Sequence, residues 1–300
     1  MIKAAKAVGM ISDEKGDKGN FRFVLEPEAA AGYCIDMRER QSKSLQNNET
    51  LLILDAGGGT VDLVAHRLVN NQLVELTVGT GGHNGSSVID AAFEKFLVSE
   101  FGEKTISDFK EKQPEAWLSL SADWQKAKIR VKDESKRIII NNIPSVFLDA
   151  LDQFKNDTFD KSSRSIIVPK ASLLFETTLD NIEQLVEEQC KAMAEKTGSN
   201  FDYIFIVGGF GSSLLLQNRI ISKFSKRINK SIVVPRYPGE ATLDGAVLIG
   251  AELSIIAARI MRFTYGVRVA VPWNESRDKG KPKYYAAGGY YRFKGFRKFV

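Results

Sequence analysis

Three hundred residues, 43% apolar and 26% charged, describe a globular chain long enough for a sizeable core in one large or two ordinary domains. The two cysteines, Cys34 and Cys190, lie too far apart in sequence for a disulfide framework or a zinc site, and reduced thiols in a cytoplasmic protein are expected. The net charge of +5 is uneven: residues 261–300 hold ten Lys/Arg against two Asp/Glu, net +8, while the preceding 260 residues, with 32 against 35, are net −3.

Residues 1–9 read as a helix, interrupted by Lys3 and Lys6 and too short for a signal peptide. Residues 11–20 are polar and turn-rich, and 21–25 alternate as a short strand would. Glu26-Pro27 opens a helix, with proline in its first turn. A polar loop follows over 38–50.

The most informative segment comes next: Leu51-Leu-Ile-Leu-Asp55-Ala-Gly57-Gly58-Gly59-Thr60-Val-Asp62-Leu63. Apolar runs on both sides of a glycine triplet predict strand, tight turn, strand. Glycines let a backbone approach a ligand closely, and successive N–H groups in such a turn form an anion-binding nest. Asp55 and Asp62 supply carboxylates for a hydrated cation and Thr60 a hydroxyl, a set suited to a metal–phosphate ligand. An ordinary glycine-rich hairpin is the plainer alternative. A P-loop is excluded, because Gly59 is followed by Thr60-Val61 and a strand rather than Lys-Ser/Thr and a helix. Gly209-Phe-Gly211-Ser-Ser-Leu214 lacks the third glycine of a dinucleotide fingerprint.

A third strand is expected over 72–78, then a second glycine-rich loop to Gly85, with Ser86 or Ser87 capping a helix over 88–101. Residues 102–165 are more polar and read as an insertion, with a helix over 117–131 and a strand over 137–140. A strand at 166–169, a long amphipathic helix over 171–194 and a buried strand over 203–207 follow. The last runs into Gly208-Gly209 and a helix from about Ser212. A strand at 231–234 and a turn at 235–239 lead to an apolar stretch, 245–260. Its Glu252 and Arg259 leave it short of a membrane span, so a buried helix over 241–260 is expected. His66 and His83 have no partner at ligand spacing, and neither is expected to bind metal. The whole reads as an α/β fold.

Four motifs stand in a meaningful order: Leu25-Glu26-Pro27-Glu28-Ala29-Ala30-Ala31, the glycine hairpin, Val207-Gly-Gly-Phe-Gly-Ser-Ser213, and the helix after Pro238-Gly239-Glu240. Together they resemble the nucleotide-binding domain of the heat shock protein 70 chaperones, in the actin-like ATPase superfamily, and in particular its divergent branch, with Arg262-Phe-Thr-Tyr-Gly-Val267 as the ending. The likeness covers roughly residues 1–267. It implies an actin-like (ribonuclease H-like) α/β lobe over 1–85 and 176–260, a nucleotide-capping α+β subdomain over 86–175, and a short β-rich tail over 261–300.

The resemblance also implies roles. Glu26 matches a glutamate near the attacking water, Asp55 a carboxylate holding magnesium through water, and Asp62 an acid near a monovalent cation. Gly57, Gly58, Gly59 and Thr60 match the turn around the β- and γ-phosphates, and Gly85 a further glycine near them. Lys128 matches a lysine beside the ribose, and Gly208, Gly209 and Ser212 the adenosine loop. The implied cofactors are ATP or ADP with magnesium.

The pattern also breaks. No second acid–glycine–threonine hairpin occurs in these 300 residues, nor the lysine that accompanies it in the family. The expectation is therefore a second lobe whose ATP hydrolysis is weak or deficient, since phosphoryl transfer rests on charges placed on both sides of the phosphate. Ile129, and Ser212 or its neighbour, stand where the family has adenine-stacking arginines. The alternatives are a non-enzymatic module that binds a protein chain over an exposed interlobe face, or a nonfunctional gene fragment. The cations and aromatics interleaved in the tail suit a solvated sheet better than a nucleic-acid groove. No membrane segment is expected.

Overall fold

The computed structural model describes residues 2–10, 23–151, 154, 157–251, 255–260, 266–272, 274, 276, 279–280, 283–286 and 290–298. It divides into two compact units, Met1–Arg259 and Ile260–Val300.

The first unit begins with α1 (Ile2–Ala7), α2 (Glu26–Arg40) and an antiparallel run of β1 (Thr50–Ala56), β2 (Val61–Val69), β3 (Gln72–Glu75) and β4 (Thr80–Gly82). There follow α3 (Ser86–Phe101), α4 (Glu103–Lys112), α5 (Pro114–Arg130), β5 (Ile138–Ile140), α6 (Ser145–Leu151), β6 (Phe159–Asp160) and β7 (Ser165–Val168). The chain then returns through α7 (Ser172–Thr197), β8 (Tyr203–Val207), α8 (Leu214–Phe224), β9 (Ser231–Val233), α9 (Ala241–Ala251) and β10 (Ile256–Ala258).

The central sheet has the order β10-β3-β2-β1-β8-β9, with β4 beside the start of β2. The hairpin pairs are antiparallel, and β8 and β9 add in parallel to β1. Every residue of β1 is buried, as a strand covered on both faces requires. Side chains alternate between faces. Leu52, Leu54, Ile204 and Ile206 join the large core that runs under α3, α7 and α8 into the 86–168 region. Leu51, Ile53, Tyr203, Phe205 and Val207 face the other way, against Ala30, Ala31 and Cys34 of α2 and Ala241 of α9. The result is a mixed α/β sheet layered by helices, consistent with an actin-like ATPase lobe.

In the 86–168 region a small sheet, β5-β7-β6, is packed by α3–α6 around Phe101, Phe109, Trp124 and Phe147. Phe93 stacks on Trp124 at 4.2 Å between ring centroids. The second unit is an antiparallel sheet of β11 (Gly266–Pro272), β12 (Lys283–Ala286) and β13 (Tyr290–Lys298), in the order β11-β13-β12.

Several local expectations needed adjustment. The apolar run 241–260 is not one helix: α9 ends at Ala251, and Ile256–Ala258 is an edge strand parallel to β3. Hydrophobic periodicity cannot separate a buried helix from an adjoining β-branched strand. Residues 23–25 form no strand, and 21–22 lie outside the described residues. Neither Ser86 nor Ser87 caps α3, whose N-cap is Gly85. Helices α4 and α6, which bury Phe109 and Phe147, were not anticipated in the polar middle. Both cysteines are free and buried, and no helix of the described residues is long and apolar enough to cross a membrane.

Candidate functional site at the glycine hairpin

The site is set by strand parity. Asp55 falls on the same face of β1 as Leu51 and Ile53, the face covered by α2 and α9. Antiparallel register puts Asp62 directly opposite Asp55. Like charges directly opposed across a hairpin repel, and burial leaves Asp55 only 8% exposed. Its carboxyl is therefore pushed up from 3.8 to about 6, by desolvation first and then by the charges of Glu26 and Asp62. Glu26 is the exposed first residue of α2. The three acids thus act on one another, and none of them has an ion-pair partner among the described residues.

The glycine turn joins this acid cluster. It is closed by the Gly57 N–H donating to the Thr60 carbonyl at 2.9 Å. Its underside is taken by the start of α3. Gly85 N–H donates to Gly59 O (3.3 Å), Ser86 N–H to Gly57 O (3.2 Å) and Ser87 N–H to Gly58 O (2.8 Å). A Cβ on Gly85 would collide with the Gly58 carbonyl, so this position must be glycine for the helix to seat. With its carbonyls engaged below, the turn has donors to spare. Among the described residues, the N–H groups of Gly58, Gly59 and Thr60 have no acceptor. All three residues are exposed, and the space beside Gly58 and Gly59 is open to 4 Å.

A second loop reaches the same place from β8. Gly208 adopts φ +85°, and a Cβ there would meet the Ala56 carbonyl and, at 2.5 Å, Asp55 Oδ1. Its N–H donates to Pro238 O at 2.8 Å, which brings the Pro238–Glu240 turn alongside. Gly209 and Ser212 are exposed, and Gly239 lies against Gly209. The hairpin, the Gly208 loop and the Glu26 end of α2 therefore meet beyond the C-terminal ends of the adjacent parallel strands β1 and β8.

Lys128 is placed differently. It is buried on α5, and its ammonium donates to Asp90 Oδ1 of α3 at 2.7 Å. Trp124 Nε1 and Gln125 Nε2 share that acceptor at 2.7 and 3.0 Å. Asp90 was not anticipated, because a partner 38 positions away leaves no local signal. Nor was the pairing of buried Glu28 with Arg259, which fastens the first turn of α2 to the chain after β10. His66 is buried with Nδ1 unpartnered, and burial lowers it from 6.5 to about 4 against the pull of Glu28.

Residues 19–269 match the profile of the family described as Hsp70 protein. The chain belongs to the Hsp70 family. Heat shock 70 kDa protein 12A of Mus musculus is 28% identical over 90% of this chain and 48% of its own length. Heat shock 70 kDa protein 12B of Homo sapiens is 27% identical, with the same coverage. The chaperone protein DnaK of Thermosipho melanesiensis is 26% identical over 83% of the chain and 40% of its own. The chain thus spans about half the length, or less, of the curated relatives it matches. The likeness to the 12A and 12B proteins supports the divergent branch of the Hsp70 family.

The site residues suit what Hsp70 proteins hold. Unpaired N–H donors match phosphate oxygens. Among the described residues no three His, Cys, Asp or Glu side chains are arranged to enclose a metal by themselves. An acid cluster lacking any counter-cation therefore fits a hydrated magnesium that keeps its waters.

Proposed function

We propose that this chain binds a magnesium–adenine nucleotide at the glycine hairpin and hydrolyses ATP slowly. The observation that carries the reading is the set of three exposed, unpartnered N–H groups of Gly58, Gly59 and Thr60 beside the Asp55–Asp62 acid pair. In this reading the turn holds the terminal phosphates, and Asp55 and Asp62 face the hydrated cation. Magnesium would neutralise phosphate charge. Glu26 orients water at the open side of the turn. Gly208, Gly209 and Ser212 line the nucleoside side, and the Lys128–Asp90 pair borders the ribose. These 300 residues carry one such hairpin. Charges on one side of the phosphate position it without fixing an in-line attack, which keeps turnover low.

The test is calorimetric titration of the chain with magnesium–ATP and magnesium–ADP, alongside Asp55→Ala. Saturable binding that disappears in the variant is expected. Absence of heat from a chain shown to be folded by circular dichroism would overturn the reading. Turnover of these 300 residues at the rate of a DnaK chaperone would overturn its second half.

One observation favours a further role as an interaction module. Leu243 and Val247, one turn apart on α9, are 67% and 66% exposed, with Tyr237 nearby in sequence at 51%. Apolar surface left open on a monomer marks a contact site. In sedimentation velocity this reading expects self-association or partner capture that Leu243→Ser/Val247→Ser abolishes, and a chain that stays monomeric and alone counts against it.

A further inference from the structure

We infer that the outer side of α5 carries a second anion site, distinct from the glycine hairpin, that takes a compact ligand bearing two or more phosphate groups. The argument starts from charge. Residues 1–260 are net −3, yet residues 126–137 hold six Lys/Arg against Asp133 and Glu134. One of the six, Lys128, points to Asp90. The others surround a cavity of about 380 Å³ between the end of α5 and β5. Lys126 is paired with Asp123 at 2.8 Å. Arg130, Lys132, Lys136 and Arg137 line the same cavity, and none has an ion-pair partner among the described residues.

Two acids, Asp123 and Asp133, line the cavity as well, and the Lys136 charge acts on Asp133. Asp133 accepts the Ser135 N–H and hydroxyl, each at 2.8 Å, and those bonds hold its carboxyl below the usual range. Glu134 turns away to Arg219, whose Nη1 reaches both of its oxygens at 2.6 and 2.7 Å. Asn141 and Asn142 add amide donors at the rim, and Ala127 and Ile138 line the cavity with apolar surface.

The cationic wall is also rigidly mounted. Ala171 N–H donates to Lys136 O at 2.8 Å and Ser172 N–H to Glu134 O at 3.0 Å. Asn218 Nδ2 donates to Lys132 O at 3.3 Å. These bonds and the Arg219 pairing hold the backbone of the loop, so an anion that binds needs to order only the cationic side chains and not the main chain that carries them. Two guanidinium forks and two ammoniums around one concavity match clustered phosphate oxygens, each guanidinium taking a bidentate contact. An extended acidic peptide would call for a linear stripe instead. The volume lies within the range of small-molecule sites.

The probe is inorganic tripolyphosphate, titrated into the 300-residue chain without magnesium at low and moderate NaCl. One-to-one binding that weakens with salt is expected. Arg130→Ala/Lys136→Ala should reduce affinity by about tenfold or more, since charge-assisted contacts are the strong ones. Lys191→Ala/Lys226→Ala, at exposed lysines elsewhere, should leave it unchanged. Because the substituted side chains are exposed, unaltered thermal melts are expected for all variants. Three results would each overturn the proposal: no saturable binding, binding unchanged in Arg130→Ala/Lys136→Ala, or tighter binding of an oligoglutamate peptide than of tripolyphosphate. The hairpin reading would survive all but the magnesium–nucleotide titration described above, so the two fail separately.

Discussion

Asp55→Asn is expected to make the chain more stable at neutral pH and, on the proposed reading, to abolish magnesium–nucleotide binding. Burial and the neighbouring Glu26 and Asp62 raise the Asp55 carboxyl from 3.8 to about 6. Between those values the folded state holds a proton that the unfolded chain has lost. Stability is therefore fully present below the unfolded value and is lost as pH rises through the folded one. Two units correspond to roughly 3 kcal/mol at 1.36 kcal/mol per unit. His66 acts in the opposite sense over nearly the same window. Burial lowers it from 6.5 to about 4, so the unfolded chain holds the extra proton and stability rises with pH. The two slopes oppose each other, and the wild-type chain should show a shallow profile between pH 4 and 6.

Asparagine keeps the shape of Asp55 and removes its charge. Unfolding free energies from urea melts in EDTA should then rise with pH, as His66 alone dictates, and exceed wild type by roughly 2–3 kcal/mol at pH 7. Magnesium–ADP binding should vanish over the same preparation. A variant no more stable than wild type at pH 7 would mean that the acid cluster is not strained. A variant that still binds nucleotide would separate the cluster from the cation. A charge kept where it costs stability is what a functional carboxylate looks like.

Gly245→Ala should cost about 3 kcal/mol or more, because added atoms in a close-packed contact force backbone apart. Gly245 lies where α9 crosses α2, and a Cβ there would run into the carbonyl of Ala29. No side chain can yield, since the obstacle is main chain. Gly250→Ala is the internal control: it is in the same helix, exposed, with nothing within 4 Å of the new Cβ. In a helix interior that change is neutral or stabilising by up to ~1 kcal/mol. Thermal melts should separate the two by about 10 °C for a chain of this size. Gly245→Ala should also weaken nucleotide binding, because pushing α2 off α9 moves Glu26, its first residue. Equal melting points would place the α2–α9 crossing further apart than the structure has it.

How much of this was legible in the sequence depends on the range of the interaction. The glycine hairpin was readable because strand, turn and strand are contiguous and glycine punctuates them. The α/β class was readable from alternating apolar runs and helical periodicity. The end of α9 was not, since Ile255 and Ile256 continue an apolar run whose conformation is decided by pairing with β3, far away in sequence. The cap of α3 was misjudged for a similar reason. Serines suggest a side-chain cap, but the N–H groups of Ser86 and Ser87 are taken by the carbonyls of the glycine turn.

The sequence by itself determined the family, the α/β class and the glycine-hairpin motif. Those features depend on residue type and local spacing, and both are printed in the chain. Tertiary structure alone decided that Gly58, Gly59 and Thr60 keep their N–H groups free while α3 occupies the carbonyls beneath. It alone set Asp55 against Asp62 and Glu26, committed Lys128 to Asp90, and gathered Arg130, Lys132, Lys136 and Arg137 around one cavity in which cations outnumber the carboxylates of Asp123 and Asp133. Each is a juxtaposition of residues distant in the chain or opposed across a register, and burial and Coulomb energy act on distance in space, not on separation in sequence.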